Sequence, residues 1–265
     1  MQKRLRSAPS AIRRSKKVGR DSVEPSNARV KPFLTANWRY LAMLNFVVDP
    51  RIITPLVPLG TELDYENGET FVSVVGFLFL DTRLRGLPIP LHRDFEEVNL
   101  RFYVRKKSAD TWRRGVVFIR ELVPRRAIAL VARAFYGENY FALPMKHEIE
   151  HVDLRIKVAY SWRRGPKWES LAITANGDAQ NIPAGSHAEF ITEHYWGYTC
   201  VRGGCSEYRV KHPRWKIWAA ETSQLRADVA MLYGAQFAET LATSPRSAFI
   251  AEGSPITVER TEILL

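Results

Sequence analysis

The stretch "EVNLRFYVRKK", residues 97–107, alternates without a break. Val98, Leu100, Phe102 and Val104 fall on one side, and Glu97, Asn99, Arg101 and Tyr103 on the other. A period of two marks a β-strand, whose successive side chains point to opposite faces. Strand-like segments recur down the chain. "GVVFIREL" and "AIALVARAFYG" follow, parted by Pro124-Arg125-Arg126; "VDLRIKVAYSW" alternates again, and "RRGPK" turns it into "WESLAITA". "YENGETFVSVVGFLFL" reads as a turn at Asn67-Gly68 that feeds a strand. "YTCV", "SEYRVKH", "RWKIWAAE" and "PITVER" complete the series. Strands this closely spaced, with turn residues between them, predict a mainly β domain built on an antiparallel sheet or barrel.

Helical signals are few. Asp49 followed by Pro50 starts a short helix that Pro58-Leu59-Gly60 stops. Ser186-x-x-Glu189 is a capping box, which predicts a helix over "HAEFITEHYW" ending at Gly197. "DVAMLYGAQFAETLA" spaces Val229, Leu232, Phe237 and Leu241 for a second helix. "FLTANWRYLAMLNFVV" fits neither period cleanly and is compatible with strand or helix.

Charge and cysteines narrow the function classes. Residues 1–31 hold ten Lys or Arg against Asp21 and Glu24, a net +8 of the chain's +11. The nucleic-acid reading therefore rests on a short tail able to touch anions weakly, not on the domain. Residues 1–31 are expected to be a disordered basic tail and residues 32–265 a single domain. There is no apolar run of 18 residues and no apolar core of a secretory signal, so neither a transmembrane segment nor export by that route is expected. Cys200 and Cys205 bracket a hairpin. They are read as free thiols in a reducing compartment, and the cytoplasm is the expected location. The oligomeric state is not legible.

"KHEIEH" contains His147-Glu148-x-x-His151, the zinc-hydrolase pattern, which functions only on a helix. On a strand the two imidazoles stand about 13 Å apart, too far for one zinc. Pro144 on one side and a strand starting by Val152 on the other leave no room for three helical turns. The histidines are read as solvated loop residues, and no metal is expected.

Two constellations carry chemistry. The polar face with Glu97, Asn99 and Arg101 lines a cavity if the sheet closes on itself, and is an ordinary solvent face otherwise. Arg120 and Glu121 of "FIRE" point to opposite faces, so only one can share that cavity; Arg120 is taken as the candidate. "TEHYWGY" joins His194 to aromatic surface that includes Tyr198; it is either a pocket wall with an acid–base imidazole or a helix end packed on the sheet. A phosphate-binding glycine loop, a nucleophile elbow and an RNA-stacking platform are all missing from the sequence, and no cofactor is expected.

The segments "LTANWRYLAMLNFVVDP", "VSVVGFLFLDTRLRGLPIP", "FEEVNLRFYV", "RRGVVFIRELVP", "FYGENYFALPM", "EFITEHYWGYT" and "SAFIAEGSPITV", in this order, resemble the YqjF-like family, usually placed in the acetoacetate decarboxylase-like superfamily. The resemblance spans residues 33–260. It implies an antiparallel β-barrel or cone around a central cavity, with a few flanking helices. The superfamily's decarboxylases carry a Gly-Arg-Glu-x-Tyr-Gly-x-Pro-Lys-like segment whose lysine forms a Schiff base. Laid over "ARAFYGENY", it matches Arg133, Tyr136 and Gly137, but Tyr140 stands at the lysine position. Lys106, Lys107 and Lys146 read as solvated substitutes in the wrong places. The resemblance thus implies a cavity that binds a small organic acid or ketone without Schiff-base chemistry. Glu97, Arg101, Tyr140 and His194 are the catalytic candidates, and Glu97, Asn99, Arg101, Arg120, Tyr136 and Tyr198 the ligand-binding ones. The alternative is a non-catalytic structural or interaction protein whose barrel is filled by side chains.

Overall fold

The computed structural model describes residues 32–88, 93–109, 111–125, 139–201, 204–259 and 262–264. The tail at 1–31 and the whole of "AIALVARAFYG", and with it Arg133, Tyr136 and Gly137, lie outside the described residues. The ambiguous first segment is a strand, β1 (Leu34–Val48). Asp49 then caps α1 (Pro50–Ile53), its carboxylate accepting from Arg51 N at 2.9 Å while Pro50 takes the first helical position. Asn67 and Gly68, both with positive φ, make a two-residue turn into β2 (Thr70–Leu84). The alternating stretch is β3 (Phe95–Ser108), which pairs with β4 (Thr111–Val123).

After β5 (Tyr140–Ala142) come β6 (Met145–Val152), β7 (Arg155–Arg164) and β8 (Lys167–Asn176). The helix α2 (His187–Thr192) leads to β9 (Trp196–Val201), β10 (Gly204–Lys211) and β11 (Lys216–Arg226). Two short helices, α3 (Val229–Tyr233) and α4 (Ala238–Ala242), precede β12 (Ser247–Val258). No helix among the described residues is long and apolar enough to cross a membrane.

The pairings return on themselves. β1, β2, β3 and β4 are successive antiparallel neighbours, and β4 pairs in parallel with β9 at Gly115↔Trp196 and Val116↔Gly197. β9 pairs with β10, β10 with β12 at Val210↔Val258 and Lys211↔Thr257, and β12 with β1. From β12 a second run leads through β11 and β8 to β7 and β6. The fold is mainly β, as predicted.

Each face of this sheet has its own core. Leu41, Met43, Val75, Phe77, Tyr103 and Phe249 belong to one apolar cluster. Leu44, Val74, Leu100 and Phe102, on the alternate positions, pack in another with Tyr160, Trp162, Leu171 and Ile173 of β7 and β8. Each such fully buried side chain stabilises by about 1.5–3 kcal/mol. Gly76 permits this close approach, because a Cβ there would stand 2.5 Å from the Tyr160 ring. Trp162 Nε1 donates to Glu169 Oε2 at 2.6 Å, and Arg164 and the Asp228 amide donate to Oε1, so this buried carboxylate is well satisfied.

Three local expectations need correction. His147 and His151 lie on strand β6, not in a loop, and His147 contacts Glu96 at 2.6 Å. The helix after Ser186 ends at Thr192, because Trp196 onward is claimed by pairing with β4 and β10. The second helix is broken at Gly234, whose φ of 112° no helix accommodates, leaving α3 and α4 separate. Cys200 and Cys205 face each other across the β9–β10 hairpin as free thiols, one exposed and one buried.

Candidate functional site

The strict alternation of β3 carries Glu97, Asn99 and Arg101 onto the side opposite the β7–β8 core. There they line a cavity of about 100 Å³, large enough for several waters or a small organic molecule. Glu121 of β4, Tyr140 of β5 and His194 just beyond α2 add to its polar lining. Trp38, Phe77, Phe79, Phe118, Tyr208 and Trp215 supply aromatic surface.

Glu97 is buried, and both its oxygens accept: Oε1 from Asn99 Nδ2 at 3.0 Å and Oε2 from the Tyr140 hydroxyl at 3.3 Å. Arg101 donates from Nη2 to Ile191 O at 3.4 Å, and its guanidinium stands 5.6 Å from the Tyr103 ring centre. Behind it, the Tyr103 hydroxyl meets Ser73 Oγ at 2.6 Å. Ser73 Oγ also donates to Asn45 Oδ1, and Asn45 Nδ2 to Ser247 Oγ, a chain that ties four strands under the cavity.

His194 is sealed in, its side chain 1% exposed. Burial pushes its pKa down to about 4, against the pull of Asp64, whose Oδ2 meets His194 Nε2 at 3.1 Å. The same oxygen accepts from Arg114 Nε at 2.6 Å. Burial alone raises the Asp64 pKa, but the hydrogen bonds from His194 and Arg114 hold it below the ordinary carboxylate range. At neutral pH the site therefore pairs a neutral imidazole with an ionised aspartate. His212 stacks on Trp215 at 4.1 Å and also lines the cavity, with its pKa lowered by burial.

Of the candidates read from sequence, Glu97, Asn99, Arg101, Tyr140 and His194 meet at this cavity. Arg120 does not, and a β-bulge is the reason. Arg101 pairs with Phe118 and Leu100 with Arg120, so Ile119 is an extra residue that inverts the alternation of β4. Glu121 takes the cavity position, and Arg120 is turned to the other face, over the Phe141 ring. Tyr198 is also turned away, since Gly197 lines the cavity and Tyr198 packs into the outer core. Trp38, Thr192, Tyr208, His212 and Trp215 were not singled out. Alternation along β1 from Leu34 was the available signal for Trp38, whereas the "KHPRW" segment offered none.

No lysine is among the described residues lining the cavity. Lys146 lies 4.6 Å from the Trp168 ring, and Lys107 is exposed. Lys106 is not the solvated turn residue expected; it pairs at 3.1 Å with the buried Glu207, which Arg113 also holds.

The sequence of residues 35–255 matches the DUF2071 family, described as an uncharacterized conserved protein. The chain is 31% identical over 193 residues to "Uncharacterized protein YqjF" of Bacillus subtilis (strain 168), covering 69% of this chain and 74% of that one. Among solved structures it resembles an acetoacetate decarboxylase from Legionella pneumophila, with a TM-score of 0.61 at 14% identity, covering 88% of this chain and 87% of that one. It also resembles the enduracididine biosynthesis enzyme MppR complexed with pyruvate, with a TM-score of 0.61 at 12% identity, covering 91% and 93%. The fold is acetoacetate decarboxylase-like.

Proposed function

The chain belongs to the DUF2071 family, and from that premise we propose that it holds a small organic acid inside a closed, cone-like β-barrel, with Arg101 as the carboxylate anchor. The observation that carries this reading is a guanidinium on the lining of a small, largely aromatic cavity. The Arg101 guanidinium is half-buried on this lining, and its planar donor fork suits a carboxylate. Similarity in fold to an acetoacetate decarboxylase and to a pyruvate-bound enzyme supports the same ligand class.

The chemistry is not that of a Schiff base. Tyr140 stands where the lysine would be, and a phenol forms no imine. What the cavity offers is proton transfer: Glu97 with the Tyr140 hydroxyl at 3.3 Å is an acid–base pair within reach of an anchored substrate. A barrel filled by its own side chains is the competing reading, and the cavity volume counts against it. Thermal-shift and calorimetric titration with pyruvate, acetoacetate and their reduced forms tests the proposal. At least one should bind, and Arg101→Met should weaken it by about 2 kcal/mol or more. Failure of every acid to bind, or unchanged affinity in Arg101→Met, would overturn it.

A further inference from the structure

Around the cavity, Trp38 Nε1, Asn99 Oδ1, Arg101 Nε and His194 Nδ1 are buried without a hydrogen-bond partner among the described residues, and the Glu121 carboxylate lines it as well. Buried polar atoms are ordinarily satisfied, so such a set around one cavity describes the complement of what fills it. The polarity of each atom follows from its neighbours. Trp38 Nε1 and Arg101 Nε can only donate. Asn99 turns its amide nitrogen to Glu97, whose two oxygens both accept, so Oδ1 is the carbonyl oxygen and can only accept. Asp64 is held ionised and can only accept, so His194 Nε2 carries the hydrogen. Burial keeps the ring neutral, which leaves Nδ1 as a bare lone pair.

These four atoms are two donors and two acceptors, set beside the carboxylates of Glu97 and Glu121. A keto acid brings acceptors alone. Its carboxylate and ketone answer Arg101 and Trp38 but set oxygen lone pairs against Asn99 Oδ1 and His194 Nδ1. We propose that the ligand is a hydroxy acid, its carboxylate on Arg101 and its hydroxyl donating to His194 Nδ1 or Asn99 Oδ1. An ammonium group would also donate; the carboxylates of Glu97 and Glu121 favour it and the Arg101 guanidinium opposes it, so alanine bound more tightly than lactate would overturn the hydroxyl assignment. Asp64 acts here as a positioning residue, because its hold on Nε2 decides which ring nitrogen faces the ligand as an acceptor. This inference rests on the small-acid reading and sharpens it.

The test compares matched acids on the full chain by calorimetry: lactate against pyruvate and alanine, and 3-hydroxybutyrate against acetoacetate. The hydroxy member of a pair should bind at least about tenfold more tightly than the keto member, the size expected for one well-made polar contact. Asp64→Asn turns its amide oxygen to the position shared by Arg114 Nε and His194 Nε2, so it removes the charge, keeps the ring hydrogen on Nε2 and should leave the hydroxy preference in place. ¹⁵N spectra of the imidazole read the hydrogen's position directly in both proteins. If Asp64→Asn does not fold, the wild-type ranking and the His194 spectrum decide. A keto acid bound as tightly as its hydroxy partner, or a wild-type ring protonated on Nδ1, overturns the hydroxy-acid inference and leaves the small-acid reading standing. Binding of neither class removes both.

Discussion

Acid should unfold this protein by a route that runs through one imidazole. In the folded state His194 titrates at about 4, against an ordinary value of 6.5, because its ring is sealed from water. The groups facing it are Asp64, which favours the charged form, and Arg114 and Arg101, which oppose it. Between pH 6.5 and 4 the unfolded chain binds a proton at this residue that the native state refuses. Stability is therefore complete above pH 6.5 and lost as pH falls, at about 1.4 kcal/mol per pH unit and about 3 kcal/mol in all. His212, also lowered by burial, slopes the same way, but His194→Gln retains it, so the difference between the two proteins isolates His194. Asp64, with its pKa already below the ordinary range, contributes stability that is lost only at lower pH, outside this window. Urea unfolding followed by tryptophan fluorescence at pH 4, 5, 6 and 7 measures the slopes. The wild type should lose about 3 kcal/mol more than His194→Gln across the series, whatever the variant's starting stability. Parallel curves would refute the claim that a neutral, sealed His194 governs acid sensitivity.

Gly253 adopts φ +77°, and a Cβ there would stand 2.1 Å from the Trp38 carbonyl oxygen, so Gly253→Ala should cost about 3 kcal/mol, read from the same urea titration; a change below about 0.5 kcal/mol would discredit the close β1–β12 approach. Incubation with acetoacetate and borohydride should leave the protein's mass unchanged, since Lys146 rests on Trp168 and Lys106 on Glu207; a lysine adduct detected by mass spectrometry would count against that expectation. Deleting residues 1–31 should leave the melting temperature unaltered, because that segment contains no patterned apolar stretch, and a clear drop would mean that the tail packs on the domain.

The side of the sheet that faces the cavity was legible wherever alternation was unbroken. Residues 97–104 of β3 kept their phase, so Glu97, Asn99 and Arg101 fell where a two-residue period put them. The same logic failed on β4, because one extra residue at Ile119 inverts the phase, and nothing in "GVVFIREL" marks a bulge. "HAEFITEHYW" carries real helix signals, and Ser186 does accept from Glu189 N, but strand pairing from Trp196 onward outweighs local propensity. His212 and Trp215 reach the cavity only because β10 closes against β12, a long-range contact that no local pattern encodes.

The place of β1 in the sheet has a kinetic consequence. It lies between β2, its near neighbour in sequence, and β12, so that Asn45 bonds to Ser247 across 202 residues. On a ribosome adding about 5–20 residues per second, the partner for that edge is made roughly 10–40 s after β1 itself. Through that interval β1 presents a row of unanswered amides and carbonyls next to Leu41, Met43 and Leu44, the kind of edge that recruits other chains. Nascent copies should therefore depend on holding factors more than the finished fold does. A chain stopped short of residue 247 should accumulate as aggregate rather than as a smaller folded domain, and refolding should be slow for a protein of this size.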